Sequence, residues 1–120
     1  MNKCPNLFVH CMDFRTQHTV DALIETLGLK GSQILNIRGT CDRVSVQGGA
    51  ANFEQLRIHL ASAKKLHECS TAILTVHENC GAGAKIEDLQ TAANMAKEFG
   101  YKVRLFFIKL DGSWEEIHPA

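Results

Sequence analysis

The sequence has no long hydrophobic run, no excess of either charge and no recognisable export signal. No stretch approaches the roughly 18 consecutive apolar residues that a membrane-spanning helix needs. The N-terminus lacks the apolar core and the small-residue cleavage site of a secretory signal, so we expect a cytoplasmic protein. Thirteen basic residues balance thirteen acidic ones, and a neutral chain has no net field that would draw it to nucleic acid or to an anionic membrane. We therefore expect neither of these partners.

The cysteines lack the pattern of a disulfide framework. They are odd in number and irregularly spaced: Cys4, Cys11, Cys41, Cys69 and Cys80. In a cytoplasmic protein such residues are more often free thiols or metal ligands. Hydrophobic residues make up 45% of the chain and charged residues 22%, which is typical of a globular protein and argues against disorder. We predict one domain that spans residues 1–120, because this length can bury one core.

Short β-rich runs alternate with longer helical patterns. The predicted strands are 6–11, 33–38, 71–76, 101–110 and 114–117, and the predicted helices are 17–27, 52–66 and 86–99. The second helix is expected to open with a capping box formed by Asn52 and Gln55. The stretch from Gly39 to Ala51 contains Gly48-Gly49 and no helical period, so we expect a loop there.

The order of these elements predicts an α/β fold. Most of the strands are apolar on both faces and are separated by helices, which is typical of a parallel sheet covered by helices on both faces. We expect about four such strands. Asp111-Gly112 is a good hairpin signal, and it predicts a short antiparallel strand at the C-terminal edge of the sheet.

Residues suited to metal binding follow the first and third predicted strands. Cys11 ends the first strand, and His77 and Cys80 directly follow the third. Ligands of open α/β sheets bind at the carboxyl ends of strands, so these side chains meet in one crevice if the two strands are neighbours. Two thiolates and one imidazole suit Zn²⁺, and three protein ligands with a fourth position left open are typical of a catalytic zinc. We predict one zinc ion per chain.

Asp13 and Arg15 follow Cys11 at alternate positions. If the strand remains extended here, all three side chains point into the same crevice. An arginine beside an aspartate keeps the carboxylate ionised and orients it. Gly81 and Gly83 are expected to let the backbone pass close to the metal.

The remaining histidines and cysteines have no spacing that joins them to this site. His10 is expected to point away from Cys11, and His59 and His67 are expected to face solvent or cap a helix. Cys41 follows the second strand and is the remaining cysteine expected to come nearest to the metal. A cysteine at a strand end is more often a small hydrophobic residue than a ligand, so each motif is weak alone. Their joint placement at strand ends favours a metal site.

The pair of motifs resembles the zinc signature of the β-class carbonic anhydrases. Cys11-x-Asp13-x-Arg15 and His77-x-x-Cys80-Gly81 carry the resemblance, which extends over the helix, strand and loop of residues 52–80 and over the closing hairpin. The sequence departs from the family at 39–42, where Gly-Thr-Cys-Asp stands for Asn-Ala-Gly-Asn, and at Val76, where the family usually has glycine.

The resemblance implies an activity and an assembly. It implies hydration of CO₂ to bicarbonate by a zinc-bound hydroxide, with Cys11, His77 and Cys80 as zinc ligands. Asp13, oriented by Arg15, would accept a hydrogen bond from that hydroxide, although in some members the equivalent aspartate binds zinc instead. Family members are dimers or larger, so a homodimer or larger assembly is expected.

Three other functions stay open at this point. One is zinc-dependent hydrolysis of another small linear molecule, such as carbonyl sulfide or carbon disulfide. Another is a non-catalytic zinc-binding module in which Asp13 fills the fourth position. The last is a redox sensor in which Cys11 and Cys80 form a disulfide when zinc leaves. Retention of both Asp13 and Arg15 favours catalysis, because a purely structural site has no use for an oriented carboxylate.

Overall fold

The computed structural model describes residues 3–11, 13–39, 50–81 and 83–120. Its strands are β1 Asn6–Cys11, β2 Ile34–Gly39, β3 Thr71–His77, β4 Lys102–Ile108 and β5 Trp114–Ile117, and its helices are α1 Gln17–Thr26, α2 Ala50–His67 and α3 Ile86–Glu98. Cys41 and Gly48-Gly49, for which predictions were made above, lie outside the described residues. In the described part of the chain, none of the helices combines the length and the apolar character needed to cross a bilayer.

The strands form one sheet in the order β2-β1-β3-β4-β5. β1 is parallel to both β2 and β3, and β3 is parallel to β4, whereas β5 pairs antiparallel with β4. The predicted α/β fold, with four parallel strands and a C-terminal antiparallel edge strand, is confirmed. Strand order reverses between β1 and β3, and an α/β sheet opens a binding crevice at such a point.

Two apolar layers cover the sheet. On one face Leu7 and Leu74 pack with Leu56 and Leu60 of α2 and with Leu89 of α3. On the other face the cluster comprises Phe8, Val20, Leu23, Ile73, Phe106 and Ile108, with Val20 and Leu23 supplied by α1. Full burial of one such side chain is worth about 1.5–3 kcal/mol relative to exposure. These two layers hold β1 and β3 side by side, which fixes the ends of both strands.

The predicted start of α2 is wrong. α2 begins at Ala50, so Asn52 lies inside the helix rather than at its start and cannot open it as a capping box. The pattern of an asparagine three residues before a glutamine is short, and it recurs inside helices by chance. Ala50 and Ala51 have strong helix propensity, which favours an earlier start.

The amino end of the sheet carries a separate buried group of polar atoms. The thiol of Cys69 lies beside that of Cys4, and burial together with this neighbour raises the pKa of Cys69 to about 11. Tyr101 donates a 2.6 Å hydrogen bond to the carbonyl of Leu60, and Lys64 Nζ lies 4.3 Å above its ring. This group is at the opposite end of β1 and β3 from Cys11 and His77, so Cys4 and Cys69 take no part in the crevice.

Candidate metal centre

Cys11 and His77 lie at the carboxyl ends of two neighbouring strands, β1 and β3. The register between these strands runs only to Val9 and Leu74. Beyond it the hydroxyl of Thr75 donates a 2.8 Å hydrogen bond to the carbonyl of Val9. The backbone pairing therefore ends before the ligands, and a crevice opens between the strand ends.

The structure brings Cys11, His77 and Cys80 together. Their ligand atoms all lie within 4.8 Å of one another, so the group could hold a metal ion. Cys11 and His77 are buried, with 4% and 3% of their surface exposed, and Cys80 is half-buried. Within the residues described, no other group of three histidine, cysteine or acidic side chains converges in this way.

A tight turn returns the chain from His77 to Cys80. Asn79 adopts a φ of 55°, a left-handed conformation that asparagine tolerates better than most residues. Cys80 then accepts a 3.0 Å hydrogen bond from the amide of Gly83, whose φ is +84°. Gly81 has no such conformation, and a Cβ there would meet no heavy atom within 4 Å. The left-handed positions of this turn are therefore Asn79 and Gly83.

The imidazole of His77 presents one nitrogen to the crevice. Its Nδ1 lies 2.9 Å from the carbonyl of Glu78, which can only accept, so the neutral tautomer that makes this hydrogen bond has its proton on Nδ1 and a lone pair on Nε2. Within the described residues Nε2 is buried without a hydrogen-bond partner. An unpaired buried polar atom is costly, and a lone pair facing two thiols is what a zinc ion would satisfy. The donor set therefore fits Zn²⁺.

Asp13 and Arg15 form a closely paired dyad at the edge of this group. Arg15 Nη2 donates to Asp13 Oδ2 at 2.6 Å, and Nε lies 3.1 and 3.2 Å from the two carboxylate oxygens. These hydrogen bonds lower the pKa of Asp13 to about 2. Asp13 Oδ2 is 3.8 Å from His77 Nε2, so the carboxylate is next to the candidate ligand atoms.

The local backbone that forms this dyad differs from the extended strand end expected from the sequence. β1 ends at Cys11, and Phe14–Thr16 form a single 3-10 turn capped by Asp13, which accepts a 2.9 Å hydrogen bond from the Arg15 amide. An aspartate readily caps such a turn because its carboxylate accepts from the following amides. Arg15 also donates a 3.0 Å hydrogen bond from Nη2 to the carbonyl of Asn79. One guanidinium thus holds Asp13 and the turn after β3 together.

The other histidines lie away from the ligand atoms. His10 is buried on the opposite face of β1, with its ring edge-on to Phe8 at 5.8 Å, as expected from strand alternation. His18 is exposed on α1, whereas His59 and His67 on α2 are half-buried. The contacts of Glu78 and Asn79 were not predicted, because they involve residues far away in the sequence that no local pattern indicates.

Comparisons with known proteins give a fold but no close relative. No family model matches the sequence, and no curated protein matches it. Among solved structures, the β-carbonic anhydrase isoform I of Trichomonas vaginalis is similar with a TM-score of 0.69 and 15% identity, over 99% of this chain and 86% of that one. Two β-carbonic anhydrases of Aspergillus fumigatus are also similar. CafA has a TM-score of 0.64 and 11% identity over 99% and 77% of the two chains, and CafD has 0.60 and 10% over 98% and 91%.

These similarities cover nearly the whole chain at low sequence identity. They agree with the resemblance carried by the two motifs, and they extend it to every strand of the sheet. The chain has the fold of the β-carbonic anhydrases.

Proposed function

We propose that this chain is a zinc enzyme that hydrates CO₂ to bicarbonate. The observation that carries the proposal is the convergence of Cys11, His77 and Cys80 within 4.8 Å, next to an ion-paired Asp13, on the fold of the β-carbonic anhydrases. We assign the two cysteines and His77 as the ligands of one zinc ion. Asp13 and Arg15 are assigned as the residues that support catalysis.

Each of these residues has a definite task in the proposed reaction. Zinc, when bound, supplies a Lewis acid that ionises water near neutral pH. Asp13 stays ionised under the influence of Arg15, so its oxygens can only accept hydrogen bonds. It would accept one from the attacking water and thereby direct the lone pair of that water toward the carbon of CO₂. Arg15 keeps the carboxylate in this orientation.

The hydrogen bonds of Asp13 favour an open fourth position on the metal. Both carboxylate oxygens face Arg15 donors, and Oδ1 also accepts from the Arg15 amide. Turning the carboxylate to bind the metal would break these charge-assisted bonds, which are stronger than neutral ones. We therefore propose that the dyad stays intact and that a bound zinc ion would be held by Cys11, His77 and Cys80 and not by Asp13.

We also propose that the chain acts as a cytoplasmic homodimer or larger assembly. Phe14 lies between the two dyad residues with 84% of its surface exposed. Such an exposed aromatic side chain offers a large apolar area that a partner could bury. A second copy placed there would shield the crevice and exclude water from the side of the dyad.

The decisive experiment is stopped-flow CO₂ hydration on zinc-loaded protein with known metal content. We expect about one zinc per chain and a rate above the uncatalysed one. Asp13→Asn is expected to lower kcat by about 10²-fold while zinc content stays the same. A wild-type protein that holds zinc but does not accelerate CO₂ hydration would contradict the proposal, and the same preparation would then be assayed with carbonyl sulfide and carbon disulfide.

A further inference from the structure

Glu78 makes hydrogen bonds in three directions at the point where β3 ends. Its carbonyl accepts the Nδ1 proton of His77 at 2.9 Å, and its amide donates to the carbonyl of Ile108 at 2.8 Å. Its carboxylate oxygen Oε1 accepts from the amide of Leu110 at 3.0 Å. The last two bonds join this residue to the end of β4 and the chain that follows it. Glu78 thus connects the imidazole of His77 to the β4–β5 hairpin.

We propose that Glu78 is a positioning residue that holds the imidazole of His77 in the orientation required for metal binding. The inference rests on the proposed function in one respect, namely that His77 is a metal ligand. Glu78 itself does not touch the metal or the substrate. It acts by fixing the carbonyl group to which Nδ1 donates.

The side chain of Glu78 extends the pairing of β3 and β4 beyond its last backbone pair. The register of these strands ends at His77 and Ile108. After it, the Glu78 carboxylate takes the amide of Leu110, a bond that a further residue of β3 would otherwise supply. A hydrogen bond from a backbone amide to a carboxylate is charge-assisted and stronger than a neutral one. Without it, the bond from the Glu78 amide to the carbonyl of Ile108 would be the one remaining hydrogen bond described between Glu78 and the hairpin side.

The carbonyl of Glu78 matters because it selects the tautomer of His77. When Nδ1 carries the proton, the lone pair is on Nε2, which points toward Asp13 and the two cysteines. Metal-binding histidines generally depend on such a partner for ring orientation and basicity. On the other side of the turn, Arg15 donates to the carbonyl of Asn79. The turn is therefore held from both sides, and Glu78 supplies the hold on the hairpin side.

Zinc affinity of matched variants tests the inference. Glu78→Ala removes the acceptor, whereas Glu78→Gln retains a side-chain oxygen that can accept from Leu110. Glu115→Ala is the control, because it removes an exposed carboxylate of the same hairpin that makes no hydrogen bond within the described residues. Competition with a chromophoric chelator should show zinc binding about ten-fold weaker in Glu78→Ala, and little changed in the other two variants. The visible spectrum of bound Co²⁺ should change only in Glu78→Ala.

A second readout needs no metal. The ¹⁵N shifts of the His77 ring in zinc-free protein should show the Nδ1–H tautomer in the wild type and a mixture in Glu78→Ala. The inference would be overturned if wild type and Glu78→Ala had the same tautomer population and the same zinc affinity. It would also be overturned if Glu78→Ala and Glu78→Gln lost zinc affinity to the same extent. If the wild type binds no zinc, yet its Nδ1–H tautomer is lost in Glu78→Ala, the result would contradict the proposed function and leave the role of Glu78 supported. Urea unfolding midpoints confirm beforehand that each variant is folded.

Discussion

Arg15 is the residue on which most of the site geometry depends. Its guanidinium contacts both oxygens of Asp13 and the carbonyl of Asn79. These three acceptors belong to the segments that follow β1 and β3, so a single planar group joins two turns. The fixed fork of arginine makes this possible, because its donors diverge at set angles from one rigid plane.

We expect Arg15→Lys to damage catalysis more than metal binding. Lysine keeps the positive charge but supplies a single ammonium group, which cannot reach both Asp13 oxygens and the Asn79 carbonyl. The kcat for CO₂ hydration should fall by about 10-fold to 10²-fold, while zinc affinity should change only a few-fold. Steady-state kinetics and chelator competition on the same preparation measure the two effects. A variant with wild-type kcat would show that the bidentate contact is not needed.

At the scale of elements, the antiparallel hairpin of β4 and β5 is joined by an ion pair on its exposed surface. Arg104 donates to both carboxylate oxygens of Glu116, at 2.9 and 2.8 Å. These bonds lower the pKa of Glu116 from its ordinary value of 4.5. Both side chains are largely in contact with water, so the pair is worth at most about 1 kcal/mol.

The lowered pKa of Glu116 sets the sign of a pH dependence. A carboxylate whose pKa is lower in the folded state stabilises the fold above its unfolded pKa, and this contribution is lost as pH falls through the folded pKa. We expect Glu116→Gln to lower the free energy of unfolding by less than about 1 kcal/mol at pH 7. The difference should shrink toward zero once Glu116 is protonated. Urea titrations of wild type and Glu116→Gln at pH 7 and at progressively lower pH measure this difference in the free energy of unfolding. A difference that grows in acid would contradict the stabilising role assigned to the ionised Glu116.

The elements were predictable from the sequence to the extent that local patterns determine them. A short, mostly apolar run predicted β1, and Asp111-Gly112 predicted the hairpin that ends in β5. The start of α2 was not predictable from Asn52, because helix propensity of the preceding alanines outweighs a three-residue motif.

The residues of the candidate site were predictable from the sequence, but the hydrogen bonds that hold them were not. Cys11, His77 and Cys80 could be grouped because strand ends of a parallel sheet share one edge. The 3-10 turn that pairs Asp13 with Arg15, and the bond from Leu110 to Glu78, could not be found this way. The first is a local capping effect that competes with strand extension, and the second joins residues that only the folded sheet brings together.

On the scale of the whole molecule, the feature that bears on the proposed assembly is an exposed aromatic side chain beside the crevice. Phe14 projects into solvent beside Asp13, and the chain has no net charge that would keep copies apart. Burying one phenylalanine contributes about 1.5–3 kcal/mol, which is enough to affect the equilibrium between one copy and two.

We expect light scattering to give a mass of at least twice 13.3 kDa, and Phe14→Ser to shift the protein toward the single-chain mass. The hydroxyl removes the apolar contact without introducing a charge beside the dyad. Ile58→Ser is a matched control, because Ile58 is a half-exposed apolar residue on α2. A strictly monomeric wild type would contradict the proposed assembly, and equal effects of the two variants would place the interface elsewhere.

The distance along the chain between Cys11 and His77 has a consequence for the life of the protein. More than half of the chain separates these residues, so an unfolded copy cannot offer both to the same ion in a fixed geometry. An ion that binds only the folded form stabilises it by mass action, by about 2.7 kcal/mol when the free ion is at 100 times its dissociation constant. The working lifetime of the molecule would then follow the supply of zinc, and copies made during zinc shortage would be the first that proteases remove.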